Sequence, residues 1–151
     1  METRIREYTV ADKEACMAAF KSNVPKYFTN EEVSDFENFL IKVGKGLKGT
    51  KFYVVEYGQK VIGCGGFGDK ENTGIITLAW GLVHRDFHKQ GFGEKLLSYR
   101  LEKIAALGLK SPVFVDTSQY SEGFFKKFGF QTKKVVQNYY GPGLHRHDME
   151  L

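Results

Sequence analysis

The segment from Val83 to Leu97 combines residue types that suit the binding of an anion. It leaves a strand-like stretch, Ile75–Val83, and opens a helix with Gly91 and Gly93. Glycine has no Cβ, so this backbone can come close to a ligand. The first amides of a helix lack carbonyl partners and, with the helix dipole, favour a negative charge. Positive side chains lie close by in the sequence, and the segment therefore predicts a pyrophosphate site: Arg85, His88 and Lys89.

A second glycine motif, Gly63–Gly68, formally matches the dinucleotide-binding pattern GxGxxG. That pattern should open a helix, whereas here it runs into the polar stretch Asp69–Gly74, which is typical of a loop. We interpret the motif instead as a glycine-rich strand on which a neighbouring helix or backbone packs closely.

Composition limits the classes of protein to which the chain can belong. Its 151 residues, 42% hydrophobic with 13 Phe, predict one globular domain over 1–151. The net charge of +4 is spread along the chain, so no nucleic-acid partner is expected. No segment reaches the ~20 apolar residues that cross a membrane. Cys16 and Cys64 lack zinc-site spacing, which favours a reduced, cytoplasmic setting and no metal.

The elements that would position these residues follow from hydrophobic periodicity and from helix caps. Strands are predicted over Thr3–Tyr8, on both sides of a Gly58–Gln59 turn, and over Ile75–Val83, Pro112–Val115, Phe130–Gln137 and Arg146–Leu151. Helices are predicted from a Thr9 cap to Lys21, after a Thr29–Glu32 cap, over Gln90–Leu107 and over Ser121–Phe128. On the third helix we expect one buried face, formed by Phe92, Leu96, Leu97, Leu101, Ile104 and Ala105.

The order β-α-α-β-β-β-α-β-α-β-β predicts an α/β fold with a mixed sheet and helices on its faces. The connection through the third helix should be a right-handed crossover between parallel strands.

The sequence resembles the GNAT acetyltransferases, and the resemblance covers nearly its whole length. Their cofactor loop, Arg/Gln-x-x-Gly-x-Gly/Ala, is similar to His88–Gly93 after the strand end Trp80–His84. A second family block ending in Phe-Tyr-x-x-x-Gly-Phe is similar to Ser118–Phe130. The turn Tyr139–Gly143 also looks like the family's last hairpin.

The resemblance implies a mostly antiparallel sheet with a central splayed parallel strand pair. It further implies an acyltransferase that moves an acetyl group from acetyl-CoA to a primary amine by direct attack, with both substrates bound together. A bulge near Gly81 would open the strand pair, and an amide near Trp80–Leu82 could polarise the thioester carbonyl. The cofactor would be bound by the following residues: Leu82, Val83, His88, Lys89, Gln90, Gly91, Phe92, Gly93, Ser118 and Phe125.

Three positions depart from the family pattern. His88 replaces Arg or Gln, Ser118 replaces Asn, and Phe125 stands where many members have a tyrosine that can act as general acid. Tyr120 or Tyr139 could replace that acid, although the sequence favours a packing aromatic at each position.

His84 and Asp116 are candidate bases, directly or through water, and Asp116 could instead cap the short helix. His145 and His147 alternate on one strand face and fit solvated side chains better than half of a metal site.

The amine acceptor, a small molecule or a peptide, should bind between Val24–Phe36 and Asn138–Arg146. Glu31, Glu32 and Asp35 could attract it, or they could simply stabilise the first turn of a helix. Two other functions stay open, namely a non-catalytic acyl-CoA-binding or sensor module and a generic nucleotide binder. A homodimer is compatible with the sequence.

Overall fold

The computed structural model describes residues 1–69 and 72–151. Its strands are β1 (Thr3–Glu7), β2 (Thr50–Tyr57), β3 (Lys60–Asp69), β4 (Ile76–Val83), β5 (Val113–Thr117), β6 (Gln131–Gly141) and β7 (Leu144–Glu150). Its α-helices are α1 (Lys13–Lys21), α2 (Glu32–Gly44), α3 (Phe92–Ala105) and α4 (Glu122–Lys127). The predicted order of elements is confirmed. Of the predicted Asp69–Gly74 loop, Lys70 and Glu71 lie outside the described residues.

The strands form one sheet in the order β1-β2-β3-β4-β5-β7-β6. Every neighbouring pair is antiparallel except β4 and β5, which run parallel. These two strands pair only where Ile76 faces Val113 and Thr77 faces Phe114. Beyond that point they separate, so the predicted splayed parallel pair is confirmed. We call the gap between them the strand cleft.

Both predicted helix starts are capped as expected, although the first turn after Thr9 is not α-helical. At α2, the Thr29 amide donates to the Glu32 carboxylate at 3.0 Å, and the Glu32 amide donates to the Thr29 hydroxyl at 3.3 Å. At Thr9, the backbone amide donates to the Asp12 carboxylate at 2.8 Å, but the turn that this box caps, Val10–Asp12, is a 3-10 turn, and α1 begins after it at Lys13.

The glycine-rich strand β3 brings α3 close to the sheet, as predicted. A Cβ at Gly65 would lie 3.1 Å from Leu96 Cδ2 and 3.2 Å from Arg100 Cζ. The prediction for α3 was wrong at two positions, because Ala105 is exposed and Arg100 is buried. Arg100 lies on the same helix face as Leu96, four residues earlier. Because it is charged, hydrophobic periodicity does not identify it as buried.

The C-terminal hairpin is longer than predicted. β6 continues to Gly141 and β7 already begins at Leu144, although their register is irregular after Val136. The turn is closed by side-chain bonding, because Asn138 Oδ1 accepts a hydrogen bond from the Gly143 amide at 2.8 Å. Asp116 lies within β5 and is not the cap of α4, which Ser121 precedes directly.

No helix in the described part of the chain is both long and apolar enough to span a membrane.

An ion pair between the partly exposed Arg6 and the buried Asp12 joins β1 to the 3-10 turn. Asp12 is 6% exposed and accepts hydrogen bonds from both terminal nitrogens of Arg6, at 2.8 and 2.9 Å, and from the Thr9 amide at 2.8 Å. Replacing Asp12 by Ala should lower the free energy of unfolding by about 2–3 kcal/mol, since it leaves partly buried donors without their acceptor. The melting temperature should fall by about 5–10 °C, measured by circular dichroism. Asp86→Ala is the control, because the Asp86 side chain is 73% exposed. This variant should change the melting temperature little.

The same pair predicts a pH dependence. The hydrogen bond from Arg6 holds the pKa of Asp12 below its ordinary value. A carboxylate with a depressed pKa stabilises the fold fully above its unfolded pKa of about 4 and loses that contribution as the pH falls. The difference in melting temperature between wild type and Asp12→Ala should therefore shrink from about pH 5 to about pH 3. A difference that is constant with pH would contradict this role.

Candidate functional site

A bulge in β4 opens the strand cleft. Cys64 on β3 faces Leu82, but Gly66, two residues on, faces Ala79, so β4 contains one extra residue. Trp80 sits at this point with a φ of 46°, in the left-handed region. A bulge bends its strand and increases the local twist, which moves β4 away from β5. The predicted distortion at Gly81 beside Trp80 is therefore confirmed.

Aromatic packing holds Trp80 in this costly conformation. Its ring centre lies 5.8 Å from that of Phe20 on α1, and 5.4 and 6.1 Å from those of Phe36 and Phe39 on α2. A non-glycine residue at positive φ costs of order 1–3 kcal/mol and persists only where its surroundings fix it. The first two helices thus support the bulge directly.

The carboxyl end of β4 turns its backbone groups alternately to β3 and to the cleft. His84 donates its amide to the Ile62 carbonyl on β3 at 2.7 Å. Alternation along a strand then directs the Leu82 amide to β3 and that of Val83 to the cleft. The Val83 carbonyl accepts hydrogen bonds from Asn23 Nδ2 at 2.9 Å and from the His88 ring at 2.8 Å. Of the two predicted strand amides, only that of Val83 faces the cleft.

The glycine loop, His88–Gly93, joins β4 to α3. Gly91 precedes the first helical residue with a φ of 86°, and Lys89 has a φ of 61°. Phe92 is 5% exposed and packs against Tyr57, with ring centres 5.0 Å apart, which anchors the helix start. The Gly91 carbonyl accepts the first helical bond, from Lys95, at 3.1 Å. The amides at the start of α3 are thus held in a rigid turn of the kind that binds anions.

Side chains of the loop mostly support it rather than project from it. The His88 ring is committed to the Val83 carbonyl, and Gln90 Nε2 donates to the Asp86 carbonyl at 3.3 Å. Gly93 lies against Phe124 of α4, since a Cβ there would be 3.5 Å from that ring. An anion at this loop would therefore contact backbone donors.

The other side of the cleft is formed by the residues after β5. Ser118 is 5% exposed, and its hydroxyl accepts a hydrogen bond from the Tyr120 amide at 3.3 Å, which shapes the turn into α4. Phe125 is 8% exposed and packs on Phe130, with ring centres 5.4 Å apart. Both residues hold the cleft wall in place. Their side chains are buried within it.

An aromatic contact spans the two sides of the cleft, and the sequence did not reveal it. Tyr27 lies between His88 and Tyr120, with ring centres 5.7 and 5.9 Å away. The ammonium of Lys26 lies 5.2 Å from the centre of the Tyr120 ring. We call Lys26, Tyr27 and Tyr120 the tyrosine bridge. Asn23 fixes the start of this bridge. It is 5% exposed, and its backbone carbonyl accepts a hydrogen bond from the Tyr27 amide at 3.0 Å.

Polar side chains gather beside the cleft, where the C-terminal hairpin meets α2. A Cβ at Gly141 would lie 3.3 Å from Thr29 Cγ2, so the two predicted acceptor segments do come together. Tyr140 is half-buried here, and burial, followed by the charges of Asp116 and Glu32, raises its pKa. Burial also raises the pKa of Glu32. Acidic and phenolic groups therefore share this corner.

The histidines differ from one another in role. His84 Nδ1 accepts a hydrogen bond from the Asp86 amide at 3.1 Å, so the neutral ring carries its proton on Nε2. His147 is only 9% exposed and lies 2.7 Å from the Glu122 carboxylate, so its predicted solvation was wrong. This pair ties β7 to α4. Among the described residues, no group of three or more His, Cys, Asp or Glu is arranged to hold a metal ion.

The family model and the solved structures that match this chain both point to the GNAT acetyltransferases. Residues 48–132 match the family model of the acetyltransferase (GNAT) domain. A structure from Desulfovibrio desulfuricans, assigned to the GNAT family, superposes with a TM-score of 0.85 at 20% identity, covering 99% of this chain and 98% of that one. No curated protein matches the sequence significantly.

Two further structures share the fold. The ribosomal-protein-S18-alanine N-acetyltransferase from Escherichia coli has a TM-score of 0.77 at 15% identity, covering 99% of this chain and 93% of that one. A Salmonella typhimurium protein, assigned as an acetyltransferase and solved with its cofactor acetyl-CoA, has a TM-score of 0.77 at 19% identity, covering 100% and 94%.

Proposed function

Because the chain belongs to the GNAT acetyltransferase family, we propose that it transfers the acetyl group of acetyl-CoA to a primary amine. The observation that carries this proposal is the combination of the β4 bulge, the separated β4 and β5, and the glycine loop at the end of β4. Together they offer an extended slot with an anion site at its end. Neighbouring structures with acetyl-CoA or coenzyme A support the choice of cofactor.

The loop fits a pyrophosphate, and the cleft fits a thin arm. The proposed phosphate donors are the backbone amides of the loop and of the first turn of α3, Lys89–Gly93, supported by the side chains of His88 and Gln90. The Val83 amide would pair with the pantetheine arm. Ser118 and Phe125 would shape the opposite wall. Backbone donors do not depend on side-chain identity, so His88 in place of the family's Arg or Gln is compatible with binding.

The reaction is a direct displacement. The lone pair of a neutral amine attacks the thioester carbon, the carbon–sulfur bond breaks, coenzyme A leaves as a thiolate, and the attacking nitrogen loses one proton to give the neutral amide. Negative charge develops on the thioester oxygen, and an amide at the bulge, near Gly81, would stabilise it. The cleft contributes further by holding both reactants in register.

A base must remove the proton of the incoming ammonium. Asp116 on β5 fits this role through a water molecule, because its charge, like that of Glu32, acts on Tyr140 in the corner that faces the acceptor segments. His84 fits less well, since its Nδ1 lone pair is already used by the Asp86 amide. The carboxylates of this corner would also attract a cationic amine, which favours basic acceptors or the N-terminus of a peptide.

The proton donor to the thiolate cannot be a tyrosine at position 125, because Phe125 occupies it. Tyr120 is the proposed substitute, since it is half-exposed and stands at the mouth of the cleft in the tyrosine bridge. A thiol with a pKa of about 8.5 also leaves without strong assistance, so a modest contribution suffices.

Replacing Tyr120 by Phe should lower kcat about tenfold while the KM for acetyl-CoA changes less than about threefold, because the ring stays and only the hydroxyl is lost. Steady-state kinetics measure this. Tyr99→Phe, on α3 and packed on Tyr53, is the control and should keep full activity. An unchanged kcat for Tyr120→Phe would make Tyr120 a packing residue.

Phe125 also favours a second candidate, a non-catalytic acyl-CoA-binding module. Isothermal titration with acetyl-CoA, followed by a thiol-release assay, separates the two functions. The amine panel should include a polyamine, an aminoglycoside, a free amino acid and a peptide beginning with alanine. Thiol release with at least one amine would support the acetyltransferase function. Tight binding without release on any of them would support the binding module, and equal affinity for ADP and coenzyme A would support a nucleotide binder.

A further inference from the structure

Arg100 is a buried cation without an anionic partner. Its side chain lies on α3 and the residue is 3% exposed. Nη1 donates a hydrogen bond to the Gly66 carbonyl at 3.2 Å, whereas Nε has no partner. Within the part of the chain that the structure describes, no carboxylate forms an ion pair with it. A buried, unpaired charge costs several kcal/mol, so this arrangement weakens the fold.

The nearest acidic group does not neutralise Arg100. Cys64 is fully buried, and burial together with the neighbouring Cys16 raises the pKa of its thiol well above the ordinary value. Cys64 therefore stays a neutral thiol. Burial lowers the pKa of Arg100 to about 10, which still leaves the guanidinium charged at neutral pH.

Three glycines make the space that Arg100 occupies. A Cβ at Gly65 would lie 3.2 Å from the guanidinium carbon, and one at Gly81 would lie 2.7 Å from Nη2. Gly66 supplies the carbonyl that binds Nη1. Gly81 is exposed and belongs to the β4 bulge. The guanidinium therefore packs on the α3 face of the sheet, against the backbone of Gly65 and against that of Gly81 in the bulge.

We propose that Arg100 is a positioning residue for acyl transfer, whose buried charge strengthens the bulge amides as donors to the thioester oxygen. This inference rests on the proposed function. Among the described residues the charge has no carboxylate partner, and the anion that it would stabilise is the negative charge that develops on that oxygen during the reaction. In a site of low dielectric, a fixed cation beside the donors acts without any reorganisation.

Two variants test the proposal, with readouts that a purely structural role would not move. Arg100→Met removes the charge and keeps an elongated side chain, while Arg100→Lys keeps the charge. We expect Arg100→Met to lower kcat about 10- to 100-fold, with the KM for acetyl-CoA within about threefold of wild type. Its melting temperature should equal or exceed that of wild type, because an unpaired buried charge is gone. Arg100→Lys should recover part of the lost kcat.

A spectroscopic measurement makes the test independent of turnover. The infrared stretch of the thioester carbonyl is recorded for acetyl-CoA carrying ¹³C at that carbon, free and bound. We expect a shift to lower frequency on binding to wild type, a smaller shift with Arg100→Met and an intermediate one with Arg100→Lys. Equal shifts in wild type and Arg100→Met would overturn the role of Arg100, even if the wild type is an active acetyltransferase. No bound signal in wild type would overturn the cofactor assignment itself.

Discussion

Replacing Gly91 by Val should weaken acetyl-CoA binding by about 100-fold or more and leave the protein folded. Gly91 has a φ of 86°, and a Cβ there would meet no protein atom within 4 Å, so the change adds bulk outside the packed interior. Valine avoids this backbone conformation, and the loop must therefore shift. If two charge-assisted amide bonds to phosphate are lost, at about 1.5 kcal/mol each, the loss of about 3 kcal/mol corresponds to about 100-fold in affinity.

The matched control lies at the other end of the same helix. Gly108 has a φ of 69° and a Cβ there would also meet nothing within 4 Å. Gly108→Val therefore has similar backbone strain and should destabilise the fold to a similar degree, but it should bind acetyl-CoA like wild type in isothermal titration. If Gly91→Val keeps wild-type affinity, the pyrophosphate does not bind at this loop. If both variants lose affinity equally, the effect comes from destabilisation.

The second large effect concerns stability. Replacing Gly66 by Ala should lower the free energy of unfolding by about 4 kcal/mol or more and the melting temperature by roughly 10 °C or more. The new Cβ would lie 2.0 Å from the Lys51 carbonyl oxygen and 2.9 Å from the Cα of Phe52. Both belong to the backbone of β2, so relief requires opening the β2–β3 ladder next to the bulge.

Gly68→Ala, in the same strand, provides the comparison. Its Cβ would lie 3.3 Å from the Thr50 hydroxyl, which is a side-chain atom that can move. We expect a change of less than about 1 kcal/mol, measured by thermal and urea denaturation of both variants. If Gly66→Ala and Gly68→Ala had the same melting temperature, that result would contradict the close approach of β2 and β3.

The parts of the site that depend on backbone conformation could be predicted from the sequence. Gly91 occupies a left-handed position, and Gly81, in the bulge beside Trp80, leaves no room for a Cβ, which would lie 2.7 Å from Arg100 Nη2. Few residues other than glycine suit such positions, so the residue type carries the structural information. The Thr29–Glu32 cap was predictable for a similar reason, because its two hydrogen bonds join residues three apart in the sequence.

The parts that depend on distant contacts could not be predicted. The burial of Arg100 needs a space made by Gly65 and Gly81, and periodicity alone assigns a charged residue to the surface. The tyrosine bridge joins Tyr27 to Tyr120 across 93 positions, through a loop whose path no local pattern specifies. Even at Leu82 and Val83, the direction of each amide depends on the register with β3.

A crystal structure of the protein with acetyl-CoA tests the central claim most directly, namely that the strand cleft is the cofactor channel. We expect the pyrophosphate on the backbone amides of Lys89–Gly93, the pantetheine arm between β4 and β5 beside Val83, and the thioester carbonyl at the bulge near Gly81. A cofactor bound elsewhere, or a pyrophosphate that does not contact the glycine loop, would contradict the account.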